Sequence, residues 1–255
     1  MRHVTAVLVG PPGLLQGRAP QPRVSMAAAQ NQLIERLPSK DRASLLAVCE
    51  PCELTLGNVL CEPAKPTRHV WFPIDGFISM VAPIDGKPAL EVGMVGREGM
   101  LGAHLALGVA TVPLHAVVQG SGSAWRLSAS AFRAELARSP ALQRVINRYL
   151  YVLMAQLTGS AACLRFHEIG PRLARWLLMS QDRAHATRFH VTHEFLAYML
   201  GVRRVGVTAA ASTLQRSGLI EYHRGEMEVL DRKGLEAAAC DCYANDSLAY
   251  AEQFA

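Results

Sequence analysis

The sequence predicts an α+β chain built from an N-terminal antiparallel β-roll, one long helix and a C-terminal winged helix-turn-helix. Three observations predict it. Short apolar runs separated by Gly, Asn, Asp and Pro turns occupy the stretch from residue 53 to residue 127. A heptad-spaced apolar seam follows Ser139-Pro140. Residues 191–230, VTHEFLAYMLGVRRVGVTAAASTLQRSGLIEYHRGEMEVL, then hold two helical patterns, a glycine break and a hairpin with no spare residues. The parts divide the chain into a tail at 1–25, a roll domain at 26–138, the long helix at 139–166 and the winged domain at 167–255.

Residues 1–25 contain a short apolar piece at 4–10 and then PPGLLQGRAPQPR, too brief an apolar core for a signal peptide, and they read as a disordered tail. Met26 begins a helical pattern and is a candidate start of translation. Residues 28–48 read as helices broken at Leu37-Pro38-Ser39, with Ser39 capping the second and Leu45, Leu46 and Val48 facing inward. From Glu53 the period changes. Leu54, Leu56, Val59, Val70-Trp71-Phe72, Phe77 to Val81 and Ala89 to Val95 read as strands, punctuated by Gly57-Asn58, Asp75-Gly76 and Asp85-Gly86-Lys87-Pro88. Leu114 to Gln119 and Ser123 to Leu127 complete the roll, and Ser128 opens a short helix holding Phe132 and Leu136.

Ser139-Pro140 is a strong helix start, a capping serine followed by proline in the first turn. Leu142, Ile146, Tyr149, Leu153, Gln156, Ser160 and Cys163 then recur at steps of four and three, the spacing of a coiled-coil seam. Val145, Val152 and Leu157 widen the apolar face. Two adjoining apolar stripes call for two partners. The expectation is that the roll takes one stripe and the same helix of a second copy takes the other, with Leu142, Ile146, Tyr149, Leu153, Gln156 and Ser160 at a symmetric homodimer interface.

In the winged segment, Thr192 is placed to cap a first helix carrying Phe195, Leu196 and Met199 on one face, and Leu200-Gly201-Val202 breaks it. A second helix opens with Arg203 and Arg204, buries Val207, Ala211 and Leu214, and stops at Gly218. Two short strands joined by Arg224-Gly225 form a wing. Residues 165–216 carry eight arginines, no lysine and three acids, whereas residues 217–255 carry three basic and eight acidic side chains. With a net charge of +5 and a pI near 9.0, this fits double-stranded DNA as partner, met by the N-terminal turn of the second helix.

Other classes find less support. Charges interrupt every long apolar run before the roughly 18 residues a membrane span requires, so no membrane contact is expected. The six cysteines are too sparse for a secreted scaffold and point to the cytoplasm. Cys49-x-x-Cys52, Cys61 and Cys163 nominally supply four thiolates for an iron-sulfur cluster or zinc. Cys52 falls in the alternation with Leu54 and Leu56, and Cys163 falls in a helix, which favours apolar packing, so neither metal nor cofactor is expected. Cys240-x-Cys242 reads as a packed or idle pair. His193-Glu194 has Ala197 where a zinc protease needs a second histidine, His167-Glu168 meets Pro171, and no nucleotide loop or nucleophile elbow occurs, so no catalytic residues are assigned.

A roll, a long helix and a winged helix-turn-helix in this order resemble the Crp/Fnr family of bacterial transcription regulators over roughly residues 30–243. The likeness rests on RLARWLLM at 172–179 and FLAYMLGVRRVGVTAAASTLQRSGLI at 195–220. It implies a cyclic-nucleotide-binding-like sensory roll, a homodimer joined through the long helix, and recruitment or blocking of RNA polymerase at a two-fold symmetric operator. The departures matter as much. Cyclic-nucleotide-binding members carry a Gly-Glu phosphate cassette and a later arginine for the cyclic phosphate. Here the cassette region is GMVGREGMLG at 93–102, and TVPLHA at 111–116 has no arginine, which speaks against cyclic AMP. Arg97, Glu98, Gly99 and His115 are the candidate effector contacts, for an effector the sequence does not name. Where relatives present a glutamate and a second arginine to the bases, this chain has Val205 and Ala209. Arg204 keeps the family's arginine position and is placed for a guanine, Ala209 for a thymine methyl, and Arg203, Thr208, Thr192, His223 and Arg224 for phosphates, with Gly206 in the same turn. The competing reading is a cyclic-nucleotide or metabolite-binding adaptor whose C-terminal domain contacts protein only.

Overall fold

The structure, a computed structural model, describes residues 31–84, 89–184 and 187–254. The tail read at 1–25, the helical start at Met26 and the turn at 85–88 lie outside these residues. Two short helices come first, α1 (Gln32–Glu35) and α2 (Ser39–Ala47). Buried Asn31 accepts from the Leu33 and Ile34 N–H groups and donates from Nδ2 to Pro73 O and Gly99 O, both at 2.9 Å. One amide thus caps the helix, pins it to the roll and leaves none of its own polar atoms unpaired. Ser39, the cap expected from sequence, is instead the first helical residue, because Pro38 already takes the extended cap conformation. Val48, expected inward, is exposed, since it closes the helix as the chain turns away.

The roll has two antiparallel sheets. One orders β1 (Glu50–Leu54), β7 (Gly122–Ser128) and β3 (His69–Pro73) as β1-β7-β3. The other orders β2 (Val59–Cys61), β6 (His115–Gly120), β4 (Phe77–Ala82) and β5 (Leu90–Val95) as β2-β6-β4-β5. Leu54, Trp71, Ile78, Val95, Val118 and Ala124 pack between them. Leu56 departs from the expected strand: it sits in the turn before Gly57 and is exposed. Gly76 has φ +72, and a Cβ there would lie 2.3 Å from Gly120 O, so the Asp75-Gly76 turn requires glycine.

Ser128 caps α3 (Ala129–Arg138), its hydroxyl accepting from Ala131 N, and Ser139 caps α4 (Pro140–Phe166), accepting from Leu142 N at 3.0 Å. Each such cap typically contributes about 1 kcal/mol. The first half of the predicted seam on α4 is buried within the chain itself. Leu142, Ile146 and Tyr149 are buried with Phe72, Leu127 and Phe132 in the chain's own roll core, Leu153 packs at its edge, and Gln156 and Ser160 are half-buried along the same side. Heptad spacing records that a stripe is buried, and the roll buries the part of this one from Leu142 to Leu153. A second stripe, roughly a quarter turn round the helix, also steps by four and three: Leu150 packs against the roll core, and Met154, Leu157, Ala161 and Leu164 are exposed, Met154 at 60%.

The head of the molecule follows: α5 (Ile169–Ala184), β8 (Arg188–His190), α6 (His193–Leu200), α7 (Arg204–Arg216), β9 (Ile220–His223), β10 (Glu226–Val229) and α8 (Arg232–Ala238). Leu173, Trp176, Leu177, Leu196, Val207, Ala211, Leu214 and Met227 form its core, which continues into Phe77, Val81 and Met94 on the roll. A last helix, α9 (Cys242–Phe254), leaves the head and lies along α4. Arg36 donates to Phe254 O, Arg148 donates to Gln253 O, and Phe254 is buried in the roll core. These residues, grouped with the winged domain in the sequence reading, pack with the roll and α4.

Candidate nucleic-acid interface

The local sequence builds a convex basic end. Thr192 Oγ1 accepts from Phe195 N at 3.1 Å and starts α6, and Gly201, at φ +62, closes it in the left-handed conformation. Arg203 is the N-cap of α7 and Arg204 its first helical residue; neither is drawn inward to cap the helix. Val207, Ala211 and Leu214 are buried, so the opposite face presents Arg204, Val205, Thr208, Ala209, Ser212 and Arg216 to solvent. Val205 is 73% exposed, which core packing does not explain. The helix N-terminus adds partial positive charge to that of the two arginines.

The wing is a three-stranded sheet ordered β8-β10-β9. Its tip is Arg224-Gly225, both at positive φ, 50 and 89, as a two-residue hairpin of opposite twist demands. His223 and Arg224 are exposed there. The first strand, β8, is not apparent in the sequence reading; the alternation Arg188-Phe189-His190 is too short to stand out. Glu228 pairs with Arg188 at 2.7 Å and Glu226 with His190 at 2.7 Å, so two wing acids already have basic neighbours.

His193, part of an incomplete metal motif in the sequence, holds this end together. Its ring stacks on Tyr222 of the wing at 4.2 Å, and Nδ1 lies 3.0 Å from Thr208 Oγ1. Because that hydroxyl donates to Arg204 O at 3.1 Å, Nδ1 must carry the proton. Burial first, and then Arg204, holds the imidazole below its usual pKa, so it is neutral. Gln215 Oε1 also accepts from Tyr222 N at 3.0 Å, fixing wing to helix. Thr208 is accordingly turned to His193 as well as to solvent, and Gly206 is a packing position: a Cβ there would meet Ile169 Cδ1 at 2.7 Å.

The cassette in the roll is filled by the chain itself. A Cβ on Gly99 would come 2.2 Å from Tyr149 Oη, and one on Gly96 2.5 Å from Arg183 Cγ. Glu98 accepts from Gly96 N and pairs with Arg183 Nε of α5 at 2.8 Å. Arg97 and Glu98 border a cleft of about 230 Å³ with Gln156, Asp182, Arg183 and Tyr250. His115 is not among its lining residues; it lies on β6 opposite Val81, and burial lowers its pKa. Of the expected effector contacts, the structure therefore groups Arg97 with Glu98, places Gly99 against Tyr149, and leaves His115 apart.

The family model for the Crp-like helix-turn-helix domain matches residues 171–238, the span of α5 to α8. The chain shares the fold of Crp/Fnr-type transcription regulators, and residues 171–238 match their helix-turn-helix domain. A putative Crp/Fnr-family transcriptional regulator from Eubacterium rectale superposes with a TM-score of 0.63 at 15% identity, covering 81% of this chain and 96% of that one. FixK2 from Bradyrhizobium japonicum gives 0.63 at 14% identity over 76% and 98%. A Crp/Fnr-family regulator from Thermus thermophilus gives 0.62 at 22% identity over 74% and 98%. No curated protein matches the chain by sequence. No helix among its described residues is long and apolar enough to cross a membrane.

Proposed function

We propose that the chain is a cytoplasmic, sequence-specific transcription regulator that binds a two-fold symmetric operator as a homodimer and acts on RNA polymerase. The observation that carries this reading is the outer face of α7, which opens with Arg203 and Arg204 and stands exposed among the described residues. Arg204 reads a guanine edge, Val205 and Ala209 make apolar contacts with thymine methyls, and Thr192, Arg203, His223 and Arg224 hold phosphates, while Thr208, whose hydroxyl donates to Arg204 O, steadies the helix turn. The dimer seam in this reading is Met154, Leu157, Ala161 and Leu164, the exposed part of the second stripe. The effector site is the cleft at Arg97 and Glu98, whose lining comes from the roll, α4, α5 and α9, so that an occupant touches body and head together.

Selection of genomic fragments on the purified protein tests the proposal. A recovered palindromic motif, bound with steep salt dependence, supports it; retention of fragments without a shared motif overturns sequence-specific regulation.

A further inference from the structure

We propose that Cys163, His167, Cys240 and Cys242 form a mononuclear zinc site that joins the end of the long helix to the start of α9. Three segments of chain bring them together. Cys163 lies in the last turn of α4, and His167 is its C-cap, the residue N–H donating to Cys163 O at 3.1 Å. Cys240 stands between α8 and α9, and Cys242 is the first residue of α9. The three thiols are 2%, 8% and 8% exposed and form a buried cluster of their own, apart from the apolar cores.

The spacing matches the donor shell of one ion. The four ligand atoms all lie within 4.8 Å of one another. Cys163 Sγ is 3.6 Å from Cys240 Sγ, and Cys242 Sγ is 3.6 Å from His167 Nδ1. Tetrahedral zinc, with Zn–S near 2.3 Å and Zn–N near 2.0 Å, sets sulfur-sulfur edges of about 3.8 Å and sulfur-nitrogen edges of about 3.5 Å. Donors this close surround a single ion and leave no room among them for the several metal atoms of an iron-sulfur cluster. Three sulfurs and one imidazole nitrogen suit a borderline-soft cation, and four protein donors leave no open position, the pattern of a structural centre.

Binding forms three Zn–S bonds and one Zn–N bond. The three thiols release their protons to solvent, the histidine coordinates in its neutral form, and no electron is transferred. The centre so formed carries one net negative charge, and Arg172 and Arg175 line the same cleft as Cys163, which places cations beside it. The grouping that the sequence suggested, Cys163 with Cys49, Cys52 and Cys61, does not occur, because Cys52 and Cys61 pack in the roll interior and Cys49 beneath α2. Cys240 and Cys242 are its partners instead.

The test uses the full chain, reduced and stripped with a chelator, then titrated with zinc or cobalt. One ion per chain is expected, with the cobalt form giving tetrahedral ligand-field bands and thiolate charge transfer. Cys242→Ser and His167→Ala should each weaken zinc by more than about 100-fold, since even outer-shell losses reach that size; Cys61→Ser, in the roll, should bind as the unaltered chain does. Circular dichroism and the Cys61→Ser control separate loss of the site from loss of folding. Absence of stoichiometric uptake, a six-coordinate cobalt spectrum, or full binding by Cys242→Ser overturns the proposal. So does a Cys163–Cys240 disulfide in the isolated protein if the reduced chain then takes up no metal.

Discussion

Glu91 should make the stability of this protein fall as pH rises through neutrality. It sits on β5 where roll meets head: Ser79 Oγ and Trp176 Nε1 both donate to its carboxyl, the latter at 2.9 Å across the boundary. Burial outweighs these hydrogen bonds and the attraction of Arg183 and Arg175, and raises the pKa from 4.5 to about 7. Between those values the folded chain holds a proton that the unfolded chain releases. The stability due to the neutral carboxyl is therefore complete below the unfolded pKa, declines as pH rises, and is lost above about pH 7. At about 1.4 kcal/mol per pKa unit the swing is about 3 kcal/mol, an upper bound because the rest of the residue touches solvent. Glu91→Gln keeps the shape but cannot ionise, its amide oxygen accepting from Trp176 Nε1 and its amide nitrogen donating to a rotated Ser79 hydroxyl. Urea unfolding of both proteins at about pH 5 and about pH 8 should give the variant a relative gain approaching that size at the higher pH. An unchanged difference between the two proteins at both pH values would refute the argument, because other titrating groups cancel in the comparison.

Replacing Met154 and Leu157 together by Asp should yield monomers in sedimentation without lowering the unfolding midpoint, since both are exposed in the isolated chain; a persisting dimer removes the seam from the interface. Tyr149→Asp should unfold the roll instead, as that ring is buried and its hydroxyl donates to Met100 O at 3.2 Å. Arg204→Ala should cost about 1–3 kcal/mol on the operator and much less on random duplex, whereas Arg224→Ala should weaken both equally and flatten the salt dependence. Equal losses on both duplexes for Arg204→Ala would contradict base reading. His193 should titrate below the usual 6.5 with its proton on Nδ1, so the stability that its neutral ring contributes is present above that value and lost as pH falls. Nitrogen-15 chemical shifts of the ring decide this, and the opposite tautomer would contradict it.

The parts of the chain governed by local rules were legible. Ser128, Ser139 and Thr192 cap the helices they precede, Gly201 and Gly218 end theirs in the left-handed region, and Val207, Ala211 and Leu214 are buried as their period demands. What misled was a choice between faces. Both stripes of α4 have heptad spacing, and periodicity carries no information on whether the roll or a second copy covers a given one. Contacts distant in sequence were likewise hidden: no local pattern relates Cys163 to Cys240, 77 residues on, or places Tyr149 beneath Gly99. His193 reads in sequence only as part of a failed metal motif, although its position directly after the cap Thr192, one helix ahead of the basic helix, is visible there.

The return of α9 has a consequence for how the molecule is made. Arg36 and the Phe254 carbonyl that it meets are separated by 218 residues, and Phe254 fills a place in the roll core. The head between them is contiguous chain, α5 through α8, and the roll residues that share its core, Phe77, Val81 and Met94, are already made when it emerges. The roll domain begins earlier but is sealed last, so during synthesis its apolar floor under Arg36 stays open until the final helix arrives. The part made first is the part that waits, and the nascent chain carries that exposed surface through the whole synthesis of the DNA-reading head.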